Sequence, residues 1–386
     1  MKSIESKKNY IYYFGADKPW EELVVHGFRR RNTCFLQSLV NNENVIKIFV
    51  VRQSRRRELI SNIKSSKRIS NKVVDVYLTT FLPERDWLPL SKSFNRLFVK
   101  FLLLIQTKRF QKESDIIWIY WIAAYLFARR IDMKGRYIFD VDHNIIGDDN
   151  LPESEKNKVS KILEDIGAKS ELILSSSRSM IRWFEDRNFS NCITARNGID
   201  PNRFTKNLAE PEDLKSISHP RILYVGTLSK WINTDLLVKL IQKHPEWNFI
   251  FIGGNYKTGL STELSKLSNV TLLGFKLAHE VPAYMKNVDI ALGMYRNIDW
   301  LDVDSMKFYE YLAAGVPVVT TNYHPNINTD FNQLIRASNN LSDIEKHIDA
   351  ILSLSEKEKQ EWKTKALEFV NHNTWDNRIA DVINTL

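Results

Sequence analysis

Cysteine is almost missing from this chain, with Cys34 and Cys192 the only two among 386 residues. They lie far apart and in no metal-like spacing, which excludes a disulfide scaffold and a structural zinc site and fits a reducing compartment. The opening MKSIESKKNY has no apolar h-region, so no signal peptide is read. Long hydrophobic runs are lacking too. The stretch 116–128 is too short and too interrupted to span a bilayer. Acidic residues are scarce at one end: the first 110 residues hold 9 Asp and Glu against 22 Lys and Arg, a net +13. What remains is ordinary globular material, 43% hydrophobic and 26% charged, which argues against disorder and a collagen-like repeat. The length suggests two or three domains.

The net charge of +9 is divided unevenly. Residues 1–200 carry +11, whereas residues 201–386 carry −2. One half is therefore built to sit near something anionic: a nucleic acid, an anionic membrane surface or an acidic substrate. Nucleic acid is not expected, because the aromatics of the basic half alternate with aliphatics as core residues do and no RNA-binding signature occurs.

Short apolar runs alternate with longer amphipathic segments, the pattern of α/β units with parallel strands. Strands are expected at 10–14, 45–51, 73–78, 116–120, 137–141, 171–174 and 191–194, with a loop at 16–26 and helices at 29–40 and 91–108. A second cycle starts after Pro220, with strands at 221–225, 248–252, 270–273, 289–293 and 316–320 and helices at 234–243, 281–287 and 305–314. The expected fold is α/β: two Rossmann-like domains facing an interdomain cleft. The first domain is expected over 1–200. A polar linker, 201–219, leads to a second domain, 220–371. Open parallel sheets bind ligands at the carboxyl ends of their strands.

The most informative segment is SMKFYEYLAAGVPVV, residues 305–319, which reads as helix, glycine stop and buried strand. Ser305 and Met306 fall in the first turn, where free N–H groups favour a phosphate. Lys307, one turn in, can reach the same phosphate as a point charge. Glu310 shares its helix face and can accept both hydroxyls of a ribose. The plain alternative is a surface Lys–Glu pair on an ordinary helix.

KFYEYLAAGVPVV resembles the nucleotide-sugar signature of glycosyltransferases with the two-Rossmann, GT-B fold. Other pieces agree in order. Tyr224-Val-Gly226-Thr227-Leu is similar to the first strand and loop of that fold's donor domain. Asn269-Val-Thr-Leu-Leu-Gly274 is similar to the strand that brings a backbone edge to the base. Asn197-Gly-Ile-Asp200 followed by Phe204 resembles the family hinge, and His372-Asn-Thr-Trp375 its C-terminal helix. The resemblance covers residues 170–386 well and the rest weakly. It implies an acceptor on the first domain, with a C-terminal helix 372–386 crossing back to it, and a donor on the second domain, with phosphates at Gly226, Thr227, Ser305, Met306 and Lys307, the base at Gly274 and Phe275, and the ribose at Glu310. Many retaining members carry a Glu eight residues before the helix Glu; here that position is Asp302, and Thr227 replaces a frequent basic residue. The segment Lys230-Trp231 and the Ser-Met-Lys run look more like a bacterial surface-polysaccharide branch, including teichuronic-acid-type and xanthan-type glucuronosyltransferases. That likeness adds Tyr295 and Leu301 as sugar or base contacts.

Phe139-Asp140-Val-Asp142-His143-Asn144 ends a buried strand. An inverting transfer needs one base for the acceptor hydroxyl, and Asp142 resembles that base in the xanthan-type enzymes. Asp140 and His143 stay open as alternatives, and so does a purely structural cap. Gly15 and His26, in the loop after the first strand, are further acceptor-side candidates. Asp140-x-Asp142 and Asp302-x-Asp304 each spell a D-x-D pair, too weak a pattern to place a metal, and no metal or cofactor is expected.

Arg52, Arg55, Arg56, Arg57, Lys64, Lys67, Arg68 and Lys72 are opposed only by Glu58. The following helix has Phe94, Leu97, Phe98, Phe101, Leu102 and Ile105 at helical spacing, with Lys92, Arg96 and Lys100 on another face. That is what an interfacial membrane segment looks like, or equally a helix packed on a sheet with a solvated basic face. The reading is a glycosyltransferase that moves a sugar from a nucleoside diphosphate donor, UDP-linked, to a polysaccharide or lipid-linked glycan. It is expected in the cytoplasm, peripheral at the inner face of the plasma membrane. A sugar-nucleotide epimerase on the same fold and a non-catalytic anionic-surface-binding protein are the alternatives.

Overall fold

The computed structural model describes the chain except residues 1–8, 17, 19, 27–29, 66–70, 81–89, 148–150, 206–207, 255–258, 298–301, 303, 323–326 and 328–330, and a few further side chains, that of His26 among them. The chain divides into two units, Met1–Arg196 with Trp375–Leu386, and Asn197–Thr374.

In the first unit seven apolar runs become parallel strands: β1 (Asn9–Phe14), β2 (Val45–Gln53), β3 (Val73–Leu78), β4 (Ile116–Tyr120), β5 (Arg136–Val141), β6 (Ser170–Ser175) and β7 (Cys192–Thr194). Their order is β3-β2-β1-β4-β5-β6-β7. The central β4, IIWIY, is buried at every position, as a parallel strand covered on both faces must be. The last helix, Trp375–Asn384, belongs to this unit, and Trp375 packs edge-on against Phe35 with ring centroids 5.5 Å apart.

The second unit has six parallel strands: β8 (Arg221–Val225), β9 (Asn248–Ile252), β10 (Val270–Gly274), β11 (Ile290–Gly293), β12 (Val318–Thr320) and β13 (Ile335–Ala337), ordered β10-β9-β8-β11-β12-β13. Alternation along each strand feeds two cores. Leu223, Ile250, Ala291 and Val318 pack with Phe308, Leu312 and Phe369 on one face. Ile222, Phe249, Ile290 and Val319 pack with Leu237, Ile241 and Ile348 on the other. Helix starts are fixed locally. The Asn233 side chain accepts the Leu236 N–H at 3.3 Å, and Ser355 with Glu358 forms a capping box.

Both sheets change winding direction beside their first strand, since β1 lies between β2 and β4 and β8 between β9 and β11. The carboxyl ends at such a reversal are where open parallel sheets offer a crevice.

Four expectations are revised. The segment expected as a loop at 16–26 contains a helix, Trp20–His26, whose Trp20 and Leu23 are buried; seven residues are too few for a clear period. The segment 201–219, expected as a linker, folds with the second unit, as do residues 197–200. It forms two short helices, Asn202–Thr205 and Glu212–Lys215, each anchored by one buried side chain, Phe204 and Leu214. The basic cluster at 52–72 is not one solvated patch. Arg52 pairs with Asp75 at 3.1 Å and donates to the Ala16 and Lys18 carbonyls, and Lys72 donates to the Val40 and Asn42 carbonyls at 3.1 Å. Its Lys67 and Arg68 lie outside the described residues. Finally, Phe94, Leu97, Phe98, Phe101, Leu102 and Ile105 do not share one environment: Leu102 is buried, whereas Leu97 and Phe101 are exposed. Among the described residues no helix is long and apolar enough to cross a membrane.

Candidate functional site

At the end of β8 the chain turns through Gly226, whose φ of +144° favours glycine. A β-carbon there would meet Lys307 Cε at 2.5 Å and Nζ at 2.7 Å, so Gly226 is what lets the lysine lie against the backbone. Lys307 stands in the first turn of the helix Met306–Ala313, whose N-cap, Ser305, takes no side-chain cap hydrogen bond. The ammonium donates to the Tyr295 hydroxyl at 2.9 Å and, at 3.5 Å, to the Tyr224 hydroxyl. Tyr311 fixes the same corner by accepting the Val225 N–H at 2.8 Å. Burial opposes the ammonium, but the hydroxyls of Tyr295 and Tyr224 outweigh it and raise its pKa. No carboxylate among the described residues pairs with Lys307.

The expected phosphate residues Gly226, Thr227, Ser305, Met306 and Lys307 thus converge with Tyr295, with Thr227 exposed beside them. The loop after β9 belongs to the same ledge. Gly226 N–H donates to the Ile252 carbonyl at 2.7 Å, and Gly253 N–H to the Gly274 carbonyl at 2.8 Å. A side chain at Gly253 would collide with the Gly226 backbone, a requirement the sequence reading missed. Next to it Gly274 and Phe275 line a cavity of about 330 Å³ with Leu228, Phe251, Gly253 and Leu272. Phe275 is 66% exposed at its mouth.

Glu310 lies on the same helix, one turn further on. Its carboxylate accepts a hydrogen bond from Arg203 at 2.6 Å, and Arg203 also donates to the Ala278 carbonyl at 3.2 Å. Arg203 was not foreseen. Asp304 is buried and accepts from the Asn197 N–H at 2.6 Å and the Tyr309 hydroxyl at 3.1 Å, so this half of the Asp302–Asp304 pair is already committed within the fold. Leu301 lies outside the described residues. Among the described residues no group of three or more His, Cys, Asp or Glu is gathered as for a metal.

The first unit has its own cluster at the ends of β1, β4 and β5. Gly15, at φ +142°, lies so close to Tyr120 that a β-carbon would come within 2.6 Å of the Tyr120 β-carbon. The Tyr120 hydroxyl donates to Asp142 at 2.5 Å, and His143 Nδ1 lies 2.5 Å from the other Asp142 oxygen. Burial works to raise the Asp142 pKa, but the hydrogen bonds from His143 and Tyr120 prevail and hold it below the ordinary carboxylate value. Asp140 differs. It is wholly buried against Arg31, with N···O distances of 2.9 and 3.1 Å, and burial pushes its pKa up to about 6 despite that partner. His143 is half-exposed and reaches the surface beside Asp142. His26 falls in the helix Trp20–His26, but its side chain lies outside the described part.

Residues 209–369 match the family described as "Glycosyl transferases group 1". The matched range lies within the second unit. Its glycine ledge, Lys307 and Glu310 all fall inside the matched range. The chain is 30% identical over 136 residues to the protein of Bacillus subtilis strain 168 named as a teichuronic acid biosynthesis glycosyltransferase, TuaH. That match spans 33% of this chain and about a third, 34%, of the relative. Solved structures extend the likeness beyond the matched range. The Candida albicans trehalose-6-phosphate phosphatase N-terminal domain gives a TM-score of 0.68 at 16% identity, over 98% of this chain and 96% of that one. Anabaena HepE in complex with UDP and glucose gives 0.63 at 13%, over 98% and 100%. The trehalose 6-phosphate synthase of Burkholderia multivorans gives 0.66 at 11%, over 98% of each chain. These likenesses show the fold: both parallel sheets belong to a GT-B chain.

Proposed function

We propose that this chain transfers a sugar from a UDP-linked donor to a polysaccharide or lipid-linked glycan acceptor, with inversion and without a metal. The observation that carries the reading is Lys307. It is a lysine held cationic against a glycine backbone at a helix N-terminus, among phenol oxygens and with no described carboxylate to neutralise it. A diphosphate supplies the missing charge, and as the sugar leaves, the same ammonium and helix end stabilise the charge that develops. The cavity beside Gly274 and Phe275 suits the base, and Glu310, oriented by Arg203, suits the ribose diol. The commitment of Asp304 to Asn197 and Tyr309 supports phosphate handling without a D-x-D metal. The UDP bound to HepE supports the choice of nucleotide, and the name of the Bacillus subtilis relative supports a surface polysaccharide as acceptor.

Asp142 is the proposed base. It is ionised at neutral pH, sits at a strand end and is oriented by Tyr120, whereas Asp140 is consumed by Arg31. A thermal-shift panel of nucleoside diphosphates and nucleotide sugars, with and without EDTA, tests the reading, because a ligand that binds only the folded state raises the melting temperature. A shift with UDP or UDP-sugars that survives EDTA is expected. No shift with any nucleotide removes the donor site, and a shift abolished by EDTA restores the metal.

A further inference from the structure

The helix Leu90–Thr107 has more apolar surface than the core uses. Its inward side chains Ser91, Asn95, Val99, Leu102 and Leu103 are all buried. On its outer side Leu97, Phe101 and Ile105 are 68%, 57% and 45% exposed. Successive members are four residues apart, so they form one stripe along the helix. Lys92, Arg96 and Lys100, all exposed and also four apart, form a second row beside it. No Asp or Glu occurs anywhere in the helix. A helix covering a sheet normally turns one apolar stripe inward and a polar face outward. Here the outward face itself divides into an apolar row and a cationic row.

That division selects the partner. An acidic protein groove would satisfy the lysines but not Leu97 and Phe101, and a neutral apolar surface would strand the cations. A bilayer bearing anionic phospholipid matches both rows: apolar side chains settle at the acyl boundary while long cationic ones reach up to the phosphates. The surface continues past the helix. Ile105 also lines a cavity of about 580 Å³ whose wall includes Lys47, Lys108 and Arg109. Arg109 is held by Asp115 at 2.7 Å, which leaves Lys47 and Lys108 as the cations there with no described carboxylate partner.

We propose that the outer face of the helix Leu90–Thr107 docks on an anionic phospholipid surface, with Leu97, Phe101 and Ile105 entering the interface and Lys92, Arg96 and Lys100 on the headgroup phosphates. This uses a different side of the molecule's chemistry from the donor site and stands or falls separately from it.

The test is flotation of the full chain with phosphatidylcholine vesicles and with vesicles of phosphatidylcholine and phosphatidylglycerol. Binding to the mixed vesicles only is expected. The triple variant Lys92→Ser, Arg96→Ser, Lys100→Ser should partition on the order of 10²-fold more weakly, from about 1 kcal/mol for each cation near the surface. Leu97→Ser with Phe101→Ser should lose the fraction that resists high salt. All five side chains are exposed, so unchanged melting curves accompany both results. Equal binding to both vesicle types, no binding to either, or variants that float like the parent overturn the proposal. So does a dimer that dissociates in the Leu97→Ser, Phe101→Ser variant without any vesicle binding, since the stripe then belongs to a second copy. The UDP thermal shift, measured on the same samples, reports separately whether the donor site is intact.

Discussion

Replacing Lys307 by methionine removes the charge and keeps most of the side chain's volume. In the free protein the change should cost little. A partly buried ammonium is withdrawn from a site with no carboxylate partner among the described residues, while the Tyr295 hydroxyl loses its donor at 2.9 Å, and the two effects oppose each other. Toward UDP the change should be severe. A charge-assisted hydrogen bond contributes about 1.5–3 kcal/mol. At about 1.4 kcal/mol per decade, that corresponds to a dissociation constant raised roughly 10- to 150-fold. Differential scanning fluorimetry reads both halves at once. With UDP near 100 times the parent dissociation constant, binding stabilises the folded state by about 2.7 kcal/mol. A hundredfold loss of affinity reduces that to roughly 0.4 kcal/mol. With a melting temperature moving about 2–4 °C per kcal/mol, the UDP-induced shift should fall from about 5–10 °C to about 1–2 °C while the ligand-free transition stays in place. A Lys307→Met protein that keeps the full UDP shift refutes the reasoning. A variant whose ligand-free transition collapses shows instead that the lysine holds the fold together.

Two further predictions concern the first unit. Asp142→Asn keeps the shape but cannot take a proton, so transfer should drop about 10²–10⁴-fold with the UDP shift unchanged; near-normal transfer in a product assay would move the base to His143 or indicate a retaining route. Asp140→Leu takes the carboxyl group away from the buried Arg31 guanidinium and should destabilise the protein by about 3–5 kcal/mol in urea melts, whereas Arg31→Met with Asp140→Leu should recover most of it. Because burial raises the folded Asp140 pKa from 3.8 to about 6, folding favours its protonated form, and its contribution to stability falls as pH rises through that window and is flat above it. The double variant should lack that slope.

How far the site was legible depends on how its parts are spaced along the chain. Ser305, Met306, Lys307 and Glu310 are the N-cap and the first two turns of one helix, so helical geometry alone puts them near one another. Gly226 and Gly274 were marked by sitting at the ends of apolar runs. Arg203 was invisible because it reaches Glu310 across 107 residues, and nothing local distinguishes it from any surface arginine. The same holds for Arg31 and Asp140, which are 109 residues apart. Both faces of β5 are covered, so alternation could not say which of Asp140 and Asp142 served the fold. The sequence pattern marked β1 to β12, whereas β13, three residues with Arg336 in the middle, carries no period to read. Along Leu90–Thr107 the period was plain but not its phase, because apolar side chains stand on both the inner and the outer side.

The charges that matter most separate by what neutralises them. Asp140 is sunk completely and answered by Arg31 from the same unit, which makes the pair self-sufficient; an apolar pair of similar volume could replace it. Glu310 is answered by Arg203 through one oxygen and remains partly exposed. Among the described residues Lys307 is answered only by phenol oxygens, which keep it charged but do not cancel its charge. On the proposed function, the anion that answers it would sit over the Gly226 backbone, take the first N–H groups of the helix after Ser305 and extend toward the cavity at Gly274, a path that two linked phosphates with a nucleoside attached would follow. A single inorganic phosphate would reach the lysine and the helix end but leave the Gly274 cavity empty, so UDP should outcompete phosphate for this site by the whole contribution of base and ribose. Phosphate protecting the fold as well as UDP at equal concentration would show that the site recognises charge alone.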